Sequence, residues 1–493
     1  MSAMISLPND APMPAPASLS PAGRRAVVAA AGTLLLTALV WFGMPSLADA
    51  GRVSLLVFAL AIIGWTVLRL PELPVAIAGA GALVVFGATT TERFYRGLGD
   101  ALIWLLIGAF ILAAVIRASG LAERLALRAV AGATSVRALF HRLALVIAAT
   151  AFVVPSTSGR AALLLPVFLA LTGALAQPRL TRALALLFPS VILLSAGASL
   201  LGAGAHLVAV DFIARLGLPA PGFAQWALLG TPFALACCIV ATEIVLRLFL
   251  SPAERAAQPV LPARPAGSMP AAQKAVLAIA AATVAAWATA NWHGVEPALI
   301  ALAGALAATQ RRVTGIAMKE ALKSVEWSLI LFLAATLAMG EALLDSGAAQ
   351  WLADAALAAL PSAVLSHPAW ILCAVVVAAM FSHLLITSRS ARAAVLIPTL
   401  ALPLAVLPEQ AALLVMVATL ASGFCQTFKV SAKPVMLYAR SGEAECYSDA
   451  DLLRLSLALM PAFALLLVAC ALWFWPLLGF DGGAAMLFDT ARR

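Results

Sequence analysis

Charge is scarce in this chain. Only 11% of its 493 residues are Asp, Glu, Lys or Arg, against about 25% in an average soluble domain, while 63% are hydrophobic. Mean hydropathy is +1.03. Apolar surface on this scale exceeds what a water-soluble fold can hide, so lipid must be the solvent for most of the chain. Cysteine is sparse too: of six, five (Cys237, Cys238, Cys373, Cys425, Cys470) sit in apolar runs and Cys446 lies in a polar loop, with no CxxC pair. That gives no basis for a disulfide framework or a thiolate metal site. The five histidines show no ligand spacing, and HExxH, GxSxG and aspartate-rich pairs are missing, so an intramembrane enzyme has no recognisable machinery here. Strands of about ten residues with apolar and polar side chains alternating, the mark of a membrane barrel, are also missing. Runs such as Val53 to Trp65 are instead continuously apolar.

What is present points to helices. Apolar runs of roughly 17 to 25 residues, enough to carry a helix across about 30 Å of hydrocarbon, fill the sequence from about Arg25 to Leu478. We therefore expect an all-α polytopic membrane protein. Residues 1–26, rich in Pro, Ala and Ser, read as a disordered cytoplasmic tail. The run after Arg24 and Arg25 reads as an uncleaved first helix and not a signal peptide. The first half, 27–250, is expected to hold spans near 27–46, 53–69, 73–89, 100–118, 183–214 and 226–250, an amphipathic stretch at 121–131 and a hairpin at about 135–177. Residues 251–273, with Pro252, Pro259, Pro262, Pro265 and Pro270, read as a cytoplasmic linker. The second half, 274–493, repeats the order, with spans near 273–291, 295–310, 325–343, 410–440 and 452–478, an amphipathic stretch near 348–360 and a hairpin at about 367–405.

The repetition extends to letters. Ser156 to Pro166 (STSGRAALLLP) and Ser388 to Pro398 (SRSARAAVLIP) agree at seven of eleven positions. Each motif is a polar, helix-breaking island in an apolar run, as expected of a re-entrant hairpin tip. Upstream of each lies a tryptophan-led span ending in Ser-Gly: Trp104 to Ser119-Gly120, and Trp327 to Ser346-Gly347. Basic residues set the orientation. The segment from Ser119 to Arg142 carries Arg124, Arg128, Arg137 and Arg142, whereas its counterpart from Asp345 to His367 has no Lys or Arg, so the two should face opposite sides. That pattern predicts two inverted-topology repeats, as in secondary transporters. The net charge of +9 lies in short loops and needs no nucleic acid to explain it.

A helix that starts inside the membrane presents unpaired N–H groups and the positive end of its dipole, which favours an anion. Ser156, Thr157 and Ser158 stand just before Arg160 in the first tip; Thr387, Ser388, Arg389 and Ser390 stand before Arg392 in the second. Oxygens at such breaks also suit sodium, for which Ser156, Thr157, Gly197, Thr387 and Ser388 are the candidates. Plain helix capping by the serines is the alternative. Arginine is costly in a membrane, so Arg160, Arg389 and Arg392 are expected either to neutralise a bound anion or to snorkel to an interface. Arg389 has no partner in the first tip, where Thr157 stands. Small and polar residues from Ser195 to Asp211 and from Ala421 to Pro434 predict unwound helix, with close helix packing as the alternative. His206 on the first joins the substrate-binding candidates, and Asp211, Lys429 and Lys433 are further ionisable groups on or near these segments.

The paired serine-rich tips, each before a proline-ended helix, and the Gly-rich stretch ahead of Leu207-Val208-Ala209-Val210 resemble the divalent anion:sodium symporter family of the ion transporter superfamily. The likeness covers nearly the whole chain from about residue 50. It implies about eleven transmembrane helices plus two re-entrant hairpins, a mobile transport domain against a scaffold, a homodimer, and elevator-type movement of dicarboxylate, citrate or sulfate with sodium. The chain departs from that family where specificity lives. Its tips read Ser156-Thr157-Ser158 and Ser388-Arg389-Ser390 in place of Ser-Asn-Thr. Gly202-Ala203-Gly204-Ala205-His206 and Val430-Ser431-Ala432-Lys433-Pro434 stand where Thr-Pro-Pro-Asn-like segments are usual. The expected function is secondary active transport of a small anion in a bacterial-type inner membrane, with the N-terminus cytoplasmic and no cofactor beyond a coupling sodium ion. The alternatives are a cation/proton antiporter, which would favour carboxylates at the tips, and a sodium-independent anion exchanger.

Overall fold

The computed structural model describes residues 21–262, 267–359, 361, 368–405, 408–441 and 444–480. Most of the expected tail, the linker centre at 263–266 and His367 lie outside the described residues. The longer helices are α1 (Pro21–Gly43), α2 (Asp49–Thr66), α3 (Glu72–Val85), α4 (Ala101–Ala118), α5 (Leu121–Val130), α6 (Val136–Ala149), α7 (Thr157–Leu175), α8 (Pro178–Ser195), α9 (Gly204–Arg215) and α10 (Phe223–Phe249). After the linker come α11 (Ala271–Ala288), α12 (Pro297–Ala308), α13 (Trp327–Asp345), α14 (Ala348–Ala359), α15 (Pro368–Phe381), α16 (Arg389–Leu396), α17 (Pro408–Ala421), α18 (Lys433–Tyr438) and α19 (Asp449–Ala469). Eight helical segments among the described residues are long and apolar enough to cross a membrane. The only strands among them form a two-residue antiparallel ladder, Arg440–Ser441 against Ala444–Glu445. The chain is an all-α, multi-pass membrane protein.

Local chemistry sets the boundaries. Ser135, Ser156, Ser388 and Ser448 each accept a hydrogen bond from a backbone N–H of the helix that follows, satisfying a donor that has no intrahelical partner. Both Ser-Gly pairs end their helices, with Gly120 at φ 68° and Gly347 at φ 73°, a conformation that suits glycine. The first helix starts at Pro21, inside the stretch expected to be tail. In the linker, Ser251 and Glu254 form a capping box, and Arg124 and Arg128 of α5 donate to the Gly267 carbonyl.

The span expected over 183–214 is broken. α8 stops at Ser195, 3₁₀ turns cover Ala196–Ala198 and Leu200–Gly202, and α9 begins at Gly204. The turn is so tight that a Cβ on Gly202 would overlap the Ala196 carbonyl. Carbonyls released by the break find donors on α10: Trp226 Nε1 donates to Gly197 at 3.1 Å and Thr231 Oγ1 to Ala198 at 3.1 Å. Irregular backbone survives at membrane depth when protein satisfies it in this way. The span expected over 410–440 is also interrupted, between Ala421 and Lys433.

Two packing groups result. Both arms of the first helix–turn–helix, α6 and α7, lie on α8, and both arms of the second, α15 and α16, lie on α17. α18 crosses from the second half to pack on α7 and α8, where Tyr438 donates its hydroxyl to the Ala161 carbonyl at 2.8 Å. Its ring closes a buried triangle with Phe168 and Phe188, centroids 5.1 to 5.5 Å apart. In the other group α4 packs on α12, and α3 on α13. Gly108 permits the first contact, since a Cβ there would lie 2.7 Å from the Ala301 backbone.

Candidate functional site

The two serine-rich tips, more than 200 residues apart in sequence, face one cavity of about 490 Å³. Pro155, Ser156, Thr157 and Ser158 line it from the first; Thr387, Ser388, Arg389, Ser390 and Arg392 line it from the second. Its remaining wall comes from Glu72, Leu193, Ala203, Gly204, Glu326 to Leu329, Cys425, and Ala432 to Pro434. The caps are local. Ser156 Oγ accepts from Gly159 N at 3.2 Å and Ser388 Oγ from Ala391 N at 3.3 Å, so each serine satisfies one N–H of its helix. The N-termini of α7 and α16 therefore direct their positive dipole ends toward shared space.

The three candidate arginines have different surroundings. Arg160 is fully buried but off the cavity wall, and its guanidinium is consumed by the protein. Nε donates to Thr150 Oγ1 at 2.9 Å, Nη1 to the Ile192 carbonyl at 2.9 Å, and Nη2 to the Ile147 carbonyl at 2.8 Å and Ser195 Oγ at 2.5 Å. Arg392, its counterpart in the second motif, is equally buried yet lines the cavity. Its Nη1 donates to the carbonyls of Ile386 at 2.8 Å and Thr387 at 3.1 Å, while enclosed Nε and Nη2 have no hydrogen-bond partner. Arg389 also lines the cavity, with an enclosed, unpartnered Nε.

His206 and Gly197 stand behind the wall. A guanidinium can only donate, so the 3.3 Å contact from Arg389 Nη2 makes His206 Nε2 the acceptor and leaves Nδ1–H to donate to the Ser199 carbonyl at 2.9 Å. The imidazole is therefore neutral, and it stacks on Trp226 with centroids 4.8 Å apart. It positions Arg389. Gly197 offers its carbonyl to Trp226 and does not reach the cavity, whereas Ser156, Thr157, Thr387 and Ser388 do. Of the other ionisable groups, Lys433 lines the cavity, Asp211 pairs with Arg215 at 2.7 Å, and Lys429 pairs with Glu445. Glu72 and Glu326 are cavity residues that the tip motifs do not announce, because each sits beside an apolar span far from either motif.

Gly423 gives a local test. A Cβ there would overlap Arg389 Nη2. Gly423→Ala is therefore expected to push the guanidinium off His206 and weaken binding of a ligand in the cavity by roughly ten-fold, the scale of one charged hydrogen bond. Unchanged binding in a normally folded variant would remove Arg389 from the site.

Residues 57–423 match the profile of the citrate transporter family. The chain belongs to that family. This match spans α3, both tips and the break between α8 and α9, so the cavity is built largely from family sequence. A protein of Cupriavidus necator described as a membrane protein is 27% identical over 331 residues, covering 63% of this chain. The chain spans 62% of that relative's length. The YdaH transporter of Alcanivorax borkumensis aligns over 80% of this citrate transporter family member and 89% of itself, at 16% identity and a TM-score of 0.48. The family is one of transporters and not of enzymes.

Proposed function

We propose that this chain is a secondary active transporter of a small anion such as a dicarboxylate, citrate or sulfate, coupled to sodium and working by an elevator motion. The observation that carries the reading is the convergence of two capped helix N-termini and two incompletely paired guanidinium groups on one cavity. The membership of a citrate transporter family supports an anionic cargo. The anion accepts from Arg392 Nε and Nη2 and from Arg389 Nε, with the tip hydroxyls completing its shell. Sodium binds at the oxygens of Ser156, Thr157, Thr387 and Ser388 and enters as cargo.

In this reading the protein resembles a divalent anion:sodium symporter, with eleven spans, two re-entrant hairpins and inverted halves, its N-terminus cytoplasmic in a bacterial inner membrane. The group built on α8 and α17 is the transport domain. α2, α3, α4, α11, α12 and α13 form the scaffold and the homodimer contact. Arg160 acts as a positioning residue that fixes the first tip on α8. Arg389, which stands where the first tip has Thr157, or Lys433 on the same cavity substitutes its fixed charge for a second sodium ion.

Radiolabelled uptake into proteoliposomes of succinate, citrate and sulfate, each with and without an inward sodium gradient, tests both parts. One anion is expected to enter faster with sodium, with a Hill coefficient for sodium near one. A coefficient near two or above would show that neither Arg389 nor Lys433 replaces an ion. Equal uptake in both gradients would favour the sodium-independent exchanger, and uptake of none of the three would withdraw the transport reading.

A further inference from the structure

The cavity contains charge of both signs. Glu72, in the first turn of α3, lines it together with the tips, and its position is fixed: Pro71 precedes it, and Nε1 of buried Trp65 donates to its backbone carbonyl at 3.2 Å. Glu72 Oε2 is enclosed and has no hydrogen-bond partner, as is true of Arg392 Nε and Nη2 and Arg389 Nε on the same cavity. An enclosed carboxylate oxygen without a donor is costly, as is an enclosed guanidinium N–H without an acceptor. The occupant that relieves both must therefore accept at one end and donate at another. A plain anion such as sulfate or succinate satisfies the arginines but offers Glu72 only negative charge or C–H. An anion with a hydroxyl or amino group beside its carboxylate satisfies both walls.

We propose that Glu72 is a specificity-determining residue that selects small carboxylates carrying a hydroxyl or ammonium donor over analogues that have hydrogen in its place. The assignment rests on the transport reading above and narrows its substrate class. Selectivity arises from difference: a site built to pair a donor is left with an unpaired buried acceptor when the analogue binds.

The test is kcat/KM for uptake of malate, aspartate and succinate, which share one dicarboxylate skeleton and differ only in carrying OH, NH₃⁺ or H at carbon 2. Citrate is compared in parallel with tricarballylate, its analogue without the hydroxyl. The wild-type protein is expected to favour a donor-bearing member of at least one set by roughly ten-fold or more. Glu72→Met, which keeps the length and removes the acceptor, should shrink that preference to within about two-fold, mainly by improving the plain anion. Glu72→Ala serves as a second variant with the same expectation. Wild-type protein that handles each set equally, or a preference that survives both substitutions, overturns the assignment and leaves the transport reading standing. Uptake of none of the five by the wild type brings down the transport reading itself.

Discussion

Arg392→Ala is expected to lower anion uptake by about thirty-fold or more, because removing one partner of a buried charge pair costs on the order of 2–5 kcal/mol and about 1.4 kcal/mol is a decade. The guanidinium is fully buried, lines the tip cavity and has two enclosed nitrogens with no partner in the protein. In the proposed reading, an anion bound in the cavity completes that desolvated charge. Nη1 does support the second tip through Ile386 and Thr387, so some loss of thermal stability will accompany the substitution. Arg392→Lys separates the contributions: it retains the charge but cannot reproduce the planar fork, so uptake should recover only in part. Uptake within a few-fold of wild type in Arg392→Ala would remove the anion from this residue.

Arg160→Met should do the opposite. This side chain has no face on the cavity, and its four hydrogen bonds tie the N-terminus of α7 to the end of α6 and to α8. Two main-chain carbonyls and two hydroxyls would each lose a guanidinium N–H, although Thr150 still donates to Ile147 and Ser195 to Val191, and about 1–3 kcal/mol for each acceptor left unpaired is the appropriate scale. The variant is expected to aggregate on size-exclusion chromatography in detergent, or to melt well below wild type. Arg160→Lys should not rescue it, since a single ammonium cannot reach four acceptors spread around a planar group. A variant with wild-type Tm and lost uptake would return Arg160 to the anion site.

These two arginines occupy the same position of the same eleven-residue motif, and the motif cannot tell them apart. What separates them is supplied from elsewhere: Thr150 lies ten residues before Arg160 and Ser195 thirty-five after, whereas Nη1 of Arg392 donates to carbonyls of its own tip. Helix starts and interruptions have local signals, because caps, prolines, glycines and charge act within a few residues. The expected spans 183–214 and 410–440 come out as pairs of shorter helices, because the polar and small residues between them find partners on neighbouring elements and so do not need to stay helical. Spacing alone groups the tip serines and Arg389, and they line one cavity. Glu72 could not be grouped with them, since a single carboxylate at the start of a helix is an ordinary first-turn residue, and only the fold brings it onto the cavity that Arg392 lines.

The triangle of Tyr438, Phe168 and Phe188 bears on how such a cavity could ever open. Through it and the bond to Ala161, a residue from the far end of the sequence is clamped to the helix that carries the first tip, and the same short helix delivers Lys433 and Pro434 to the cavity wall. Pulling α18 away from the first tip would have to expose three aromatic rings and break a buried hydroxyl contact, so the first tip and the wall at Lys433 and Pro434 are joined like the floor and side of a lift car. In the elevator motion proposed above, the surfaces that slide past it are those from outside that clamp, Glu72 and the segment from Glu326 to Leu329. An inhibitor wedged between Glu72 and the second tip would therefore jam the shaft instead of blocking the door.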